Sequence, residues 1–307
     1  MSLEDQGTIE ALEVRLRTIL PEEYQECYED VQPLPMGAAG LKYGKDGKVA
    51  WNDIWATFCD LAMAGGPPHK GTLLEPGTQA EIEALPDRYR EVAAELRRGV
   101  AMVTGLAAEP SPMPGWIRLD CASEGMAGWL VRAIVMENVS AHCEGAVIDL
   151  PAGPGYRIEK EIKNVITVTA KTCHYWIEHM WQSQQRQIAN LFAKMAQESP
   201  LIQPALPGVD LRAEKYRMLP GKMAEAIRQA TGLSLSNRHY PGWLGIDCPS
   251  VRAAIWMMRA MVVSNILSRR EGTVLFVAVN PESDPDGETV VRSLVRIHGF
   301  AAARHIL

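Results

Sequence analysis

Pro114-Gly115-Trp116-Ile117-Arg118-Leu119-Asp120-Cys121-Ala122-Ser123 returns 127 residues later as Pro241-Gly242-Trp243-Leu244-Gly245-Ile246-Asp247-Cys248-Pro249-Ser250. Aligned without a gap, residues 114–154 and 241–281 are identical at 16 of 41 positions. Chance would give roughly two or three, so the reading is an internal repeat. The same offset pairs Tyr89-Arg90 with Tyr216-Arg217, Thr104-Gly105-Leu106 with Thr231-Gly232-Leu233, and Glu161 with Glu288. With small gaps Trp51 aligns with Trp176 and Trp55 with Trp181, so all eight tryptophans fall into four pairs.

A period this long does not describe a solenoid. It describes a fused dimer with approximate two-fold symmetry, the intramolecular form of an isologous interface. The expected fold class is therefore α/β, with two pseudo-two-fold-related α-β-α-β-α repeats. An N-terminal segment of helices and a hairpin covers residues 1–50, repeat one 51–172 and repeat two 173–307, the repeats packed as one intimate unit. The helix after Ser123 is long enough for a right-handed crossover between strands at 116–120 and 146–150. Each repeat is thus expected to hold a βαβ core with parallel strands.

Outward from the repeat, punctuation sets the other elements. Ile9, Leu12, Leu16 and Ile19 recur at helical spacing until Pro21. Asp46-Gly47 between Leu41-Lys42-Tyr43 and Val49-Ala50-Trp51 supplies a hairpin turn. Gly40 and Gly44-Lys45 are one residue too close for a phosphate loop, and Asp46 stands where Ser or Thr would hold magnesium. A helix is predicted from Trp51 to Ala64, ending at Gly65-Gly66-Pro67-Pro68-His69-Lys70-Gly71. Another runs from Gln79 to Thr104, with a break at Pro86 and a stop at Gly105. Residues 158–197 lack Gly and Pro and read as one long or once-kinked helix, with Val165–Thr169 also readable as a strand.

Composition narrows the function classes. A net charge of −6 with no dense Lys/Arg run argues against nucleic-acid binding, which needs a concentrated basic surface. The most apolar stretch, Val251–Leu267, contains Arg252 and Arg259 and is too short and too charged to span a bilayer. The N-terminus carries no apolar signal segment, and the six cysteines have neither CxxC nor disulfide-framework spacing. A reducing cytoplasm fits best. The sequence admits a small-molecule ligand and a homo-oligomer, and it names no cofactor.

The chemistry-bearing candidates lie where a strand passes into a helix, the place at which open α/β sheets hold ligands. Cys121 and Cys248 near helix N-termini read as reactive or ligand-contacting thiols, with Asp120 and Asp247 as acid/base or orienting groups. The alternative is a small buried Cys closing each strand, since Cys is among the most buried residues and a neighbouring carboxylate opposes thiolate formation. Ser123 and Ser250 are helix N-caps and candidate ligand contacts. Arg132 and Arg259 are candidate anion contacts on apolar helices, expected on a narrow solvent stripe rather than buried. Asn138 and Asn265 end those helices in the left-handed conformation. His69 and Lys70, in a loop without a counterpart in the second repeat, are candidate binding residues. Copy one carries Arg118, Glu124, His142-Cys143 and Asp149 where copy two carries Gly245, Val251, Arg269-Arg270 and Phe276.

No metal site is expected. Cys173, His174, Glu178 and His179 cluster, but a His spacing of five does not put both rings on one face of a helix, and HExxH is absent. The leading expectation is a small-molecule binder, enzymatic or not, with its pocket at the Asp-Cys-x-Ser turns. The rival is a non-catalytic scaffold in which the repeated motif is purely structural.

Overall fold

Gly115 and Gly242, each just ahead of a strand, hold φ values of 87° and 74°, and each packs too closely for a side chain. A Cβ on Gly115 would meet the Gly77 carbonyl oxygen at 2.5 Å, and one on Gly242 would meet Pro204 at 3.0 Å. Only glycine satisfies both demands. The strand that follows is therefore seated the same way in both places. The computed structural model describes residues 3–22, 25, 40–55, 71–205, 214–238 and 240–307. The chain divides into two units, one of residues 30–186 and one of residues 1–29 with 187–307. Among the described residues no helix is long and apolar enough to cross a membrane.

In the unit of residues 30–186, the bridge between Tyr43 and Val49 closes the expected hairpin, with Gly47 at φ 73°. Residues 51–55 are helical. Next come α2 (Gln79–Ala84) and α3 (Pro86–Thr104). Thr78 and Glu81 cap α2 reciprocally, Pro86 starts α3 at a position where its missing N–H costs nothing, and Gly105 ends it at φ 71°. Val92, Leu96 and Val100 form the buried stripe of α3, and Gly99 lets Ile166 approach within 2.2 Å of where a Cβ would stand. The remaining elements are β1 (Ala108–Pro110), β2 (Trp116–Asp120), α4 (Glu124–Met136), β3 (His142–Glu144), β4 (Val147–Pro151), a wide turn at Ile158–Ile162, and α5 (Lys163–Glu178). Val165–Thr169 lie within α5, so they are helix and not strand. The helix is interrupted at residues 179–181, before α6 (Gln182–Glu198), most of which belongs to the other unit.

The other unit contains α1 (Leu3–Thr18), most of α6, α7 (Glu214–Thr231), β5 (Trp243–Asp247), α8 (Val251–Val262), β6 (Ser268–Glu271), β7 (Val274–Ala278) and α9 (Glu288–Ala303). Gly287 opens α9 at φ 71°, and Met223 fills the space where its Cβ would be.

Mixed helix and sheet matches the α/β expectation. The parallel βαβ core does not. The first sheet runs β1-β2-β4-β3 and the second β5-β7-β6, and every neighbouring pair is antiparallel. A short strand that the apolar pattern does not mark explains the difference. The crossover helix α4 delivers the chain to β3, which runs in the same sense as β2. Gly145-Ala146, with Gly145 at φ 58°, then turns the chain back, so β4 returns between the two. A tight hairpin can join only antiparallel strands. Gly272, at φ 63°, does the same between β6 and β7.

The register recurs residue for residue. Trp116↔Pro151 through Asp120↔Val147 in the first sheet become Trp243↔Ala278 through Asp247↔Val274 in the second, each number raised by 127, the difference between Trp116 and Trp243. Ser123 and Ser250 both cap their helices, accepting from the amides of Met126 and Ala253. Asn138 and Asn265 follow those helices at φ 60° and 64°, as expected of left-handed stops.

Candidate functional site

Along a strand, consecutive side chains point to opposite faces. That rule separates the two halves of the Asp-Cys motif. Leu119 faces the helices and is fully buried, so Asp120 faces the other way and is exposed. Cys121 continues the ladder through its amide, which donates to the Ala146 carbonyl at 2.9 Å, and it is half-buried. The second copy repeats this. Asp247 is exposed, Cys248 is buried, and its amide donates to the Thr273 carbonyl at 3.0 Å.

Burial governs the thiols. It pushes Cys121 up to about 12, helped by Cys143 and Asp120. Cys248 is likewise pushed up to about 12 by burial, with Asp247 adding and a backbone hydrogen bond opposing. Cys143 rises to about 11 through burial, and burial also raises Cys173. At neutral pH all four are neutral thiols, and a neutral thiol is neither a nucleophile nor a strong ligand.

Arg132 is 4% exposed, and its Nη1 donates to the Gly128 carbonyl one turn back at 2.6 Å. It is not on a solvent stripe. Nearly every residue of α4 from Gly125 to Val135 is buried, so that helix has no wet side to offer it. Burial lowers its pKa to about 10, with Cys143 acting in the opposite sense. On α8, Arg252 is exposed and Arg259 half-buried, closer to the expected stripe. Ser123 is exposed and Ser250 half-buried, both engaged as caps. His69 and Lys70 lie outside the described residues, as do Cys27 and Cys59.

The face of the first sheet that carries Asp120 also carries a row not chosen from sequence. Register sets Arg118 opposite Asp149, and Asp149 opposite His142. Directly opposed side chains share a face about 4.5–5.5 Å apart. Arg118 grips Asp149 with two hydrogen bonds, Nε to Oδ1 and Nη2 to Oδ2, both 3.1 Å. The Asp149 side chain is 1% exposed and that of Arg118 28%. That pairing raises the Arg118 pKa against the cost of burial, and the charges of Glu144 and Asp120 add to it. His142 is half-buried, its Nδ1 is buried without a hydrogen-bond partner, and burial lowers its pKa below the ordinary value. It is a neutral imidazole at pH 7.

No protein-family model, curated protein or solved structure matches this chain.

The matched row in the second sheet has different chemistry. Gly245, Phe276 and Arg269 stand where Arg118, Asp149 and His142 stand in the first. The absent side chain of Gly245 makes room for the Phe276 ring, which would lie 2.8 Å from a Cβ there. The Arg269 guanidinium sits 4.1 Å from the centre of Phe276, 4.4 Å from Tyr240 and 5.2 Å from Trp243. Its Nη1 donates to Glu271 at 2.6 Å, with side chains 0% and 1% exposed. The charge is walled in by three rings and one carboxylate. The signal for both rows was present in the sequence as differences between the two aligned segments, but only strand register shows that 118, 149 and 142 are neighbours.

Proposed function

We propose that the protein binds a small polar molecule on the Asp120 face of the first sheet, at the strand end of the first Pro-Gly-Trp motif. The observation that carries the reading is the buried, unpartnered Nδ1 of His142 beside the half-exposed Arg118 and the buried Asp149. A buried polar atom without a partner costs about 1–3 kcal/mol, which a ligand hydrogen bond recovers. Three carboxylates, Asp120, Glu144 and Asp149, act on Arg118, so the face favours an amine-bearing ligand over an acid. In this reading Asp120 is the exposed group that meets the amine, and His142 is the neutral donor or acceptor. The thiols behind the sheet are structural.

The second unit supports the alternative for its own copy of the motif, a structural role, because Arg269 is sealed by its cage. The same reading takes the two units as products of a duplication in which one copy kept reachable polar groups and the other filled the space with Phe276. The shared register supports it. The four free thiols among the described residues fit a reducing, cytoplasmic setting.

The test is a thermal-shift panel of small amines, amino acids and matched acids, on the wild type, Asp120→Asn and His142→Gln. Amines raise the melting temperature of the wild type, and both variants lose that response while keeping the unliganded transition. If no amine acts, or Asp120→Asn responds like the wild type, the reading fails.

A further inference from the structure

The α5–α6 junction holds the densest group of imidazoles among the described residues, and it plays no part in the sheet-face reading. His174 and His179 bring their Nε2 atoms within 3.3 Å of each other. On a continuous helix residues five apart diverge, which is why no metal site was expected from the sequence. The helix does not continue. α5 ends at Glu178, and His179 departs from helical geometry at φ −107°, ψ −6°, which swings its ring back toward His174.

From these positions the geometry points to a divalent transition-metal site held by His174 Nε2 and His179 Nε2. Three observations converge. Zinc–imidazole bonds of about 2.0–2.1 Å at a tetrahedral ion put two ligand nitrogens about 3.3–3.4 Å apart, which is the spacing already present. The ring centres are 5.0 Å apart at an interplanar angle of 62°, so the two nitrogens do not point head-on at each other. Finally, the other nitrogen of His174, Nδ1, lies 3.1 Å from Glu178 Oε1. A carboxylate on the far nitrogen is the usual support of a metal-binding imidazole, because it fixes the tautomer with the proton on Nδ1 and raises the basicity of Nε2.

Packing holds both rings. Trp55 lies edge-on to His174 with centroids 5.6 Å apart, and Tyr175 lies edge-on to His179 at 5.8 Å. The His174 side chain is 12% exposed and that of Glu178 63%, so the carboxylate keeps contact with water while the ring is held. In the metal-free chain the two Nε2 atoms share a hydrogen bond, and an ion takes up both Nε2 lone pairs when each ring carries its proton on Nδ1.

Among the described residues no set of three His, Cys, Asp or Glu side chains is arranged around one ion. The described residues thus supply two imidazole nitrogens to the ion. Imidazole donors suit zinc, nickel and copper, with copper the tightest of the series.

The test uses the full chain with Cu²⁺, Ni²⁺ and Zn²⁺ as probes. Calorimetric titration of the wild type gives one ion per chain, and the Cu²⁺ spin-resonance spectrum shows coupling to two imidazole nitrogens. Glu178→Gln, at a largely exposed position, stays folded and weakens binding by about 10–100-fold, the usual effect of losing such a support. His174→Ala and His179→Ala each abolish the two-nitrogen spectrum. The spectrum of the wild type keeps the proposal falsifiable even if a His variant fails to fold. Coupling to fewer than two nitrogens in the wild type, an undiminished two-nitrogen signal in a folded His174→Ala or His179→Ala variant, or wild-type affinity in Glu178→Gln overturns the site.

Discussion

Glu271→Gln removes one negative charge from the sealed pair of the second sheet and leaves its volume unchanged. The Arg269 side chain is 0% exposed and that of Glu271 1%, at 2.6 Å, so neither group can turn to water when its partner is lost. Deleting one member of a buried pair costs about 3–5 kcal/mol, because the other charge stays buried without compensation. The rings of Tyr240, Trp243 and Phe276 still face the guanidinium, and a desolvated cation–π contact contributes about 2 kcal/mol. These contacts survive the substitution and place the expected loss at the lower end, about 3 kcal/mol. In a unit of this size that lowers the melting temperature by roughly 6–12 °C. Urea titration followed by tryptophan fluorescence reads the same loss, since Trp243 lies on the cage. The double variant Arg269→Met/Glu271→Leu, which removes both charges, is no less stable than the wild type, since apolar replacement of a buried pair is often neutral or stabilising by about 1–4 kcal/mol. Burial works to raise the Glu271 pKa, but hydrogen bonds from Arg269, Tyr240 and Arg238 outweigh it and hold the group below its usual value. A depressed folded pKa means that the unfolded chain takes up the proton first. The pair's contribution is complete above the ordinary glutamate value of about 4.3 and declines as pH falls through the folded one. A Glu271→Gln variant within about 0.5 kcal/mol of the wild type would refute the reasoning, since surface substitutions without structural consequence fall in that range.

Two further outcomes follow from the repeated turns. Ser123→Ala and Ser250→Ala each remove the oxygen that accepts from the third residue of a helix, and each lowers stability by about 1 kcal/mol in chemical denaturation. Unequal losses well outside that range would show that one cap has a further duty. The thiols of Cys121 and Cys248, both pushed up to about 12, stay protonated to high pH in the folded chain, whereas the unfolded chain ionises near 8.5. The folded state then holds more protons in that interval, so stability falls as pH rises from about 8.5 toward 12. Native protein at pH 8 reacts with iodoacetamide far more slowly at these cysteines than urea-unfolded protein does, and equal rates would contradict the burial argument.

Much of the local structure was legible because it depends on residues near one another in the chain. Ser123, Ser250, Gly105, Asn138 and Asn265 cap or stop helices for reasons internal to one turn, and the predicted boundaries followed. Pro86 and Asp46-Gly47 acted the same way. The strand direction was not legible, because β3 and β6 are short and polar and leave no apolar pattern, yet one extra reversal in each sheet turns a parallel neighbour into an antiparallel one. The burial of Arg132 depends on everything packed around α4, which no spacing rule reports. His174 and His179 failed a helical-spacing argument only because the helix stops between them.

The sequence by itself showed sixteen identities between residues 114–154 and 241–281 at a constant offset, which need no coordinates to be counted. It also determined where the chain would turn, because glycine, proline and the capping side chains act over three or four residues. Tertiary structure decided which of the differing positions become neighbours. Arg118, Asp149 and His142 are separated by up to 31 residues, and only the register of three strands sets them side by side. Whether a charge meets a carboxylate, three aromatic rings or water depends on neighbours distant in the chain, and so does the chemistry of each copy.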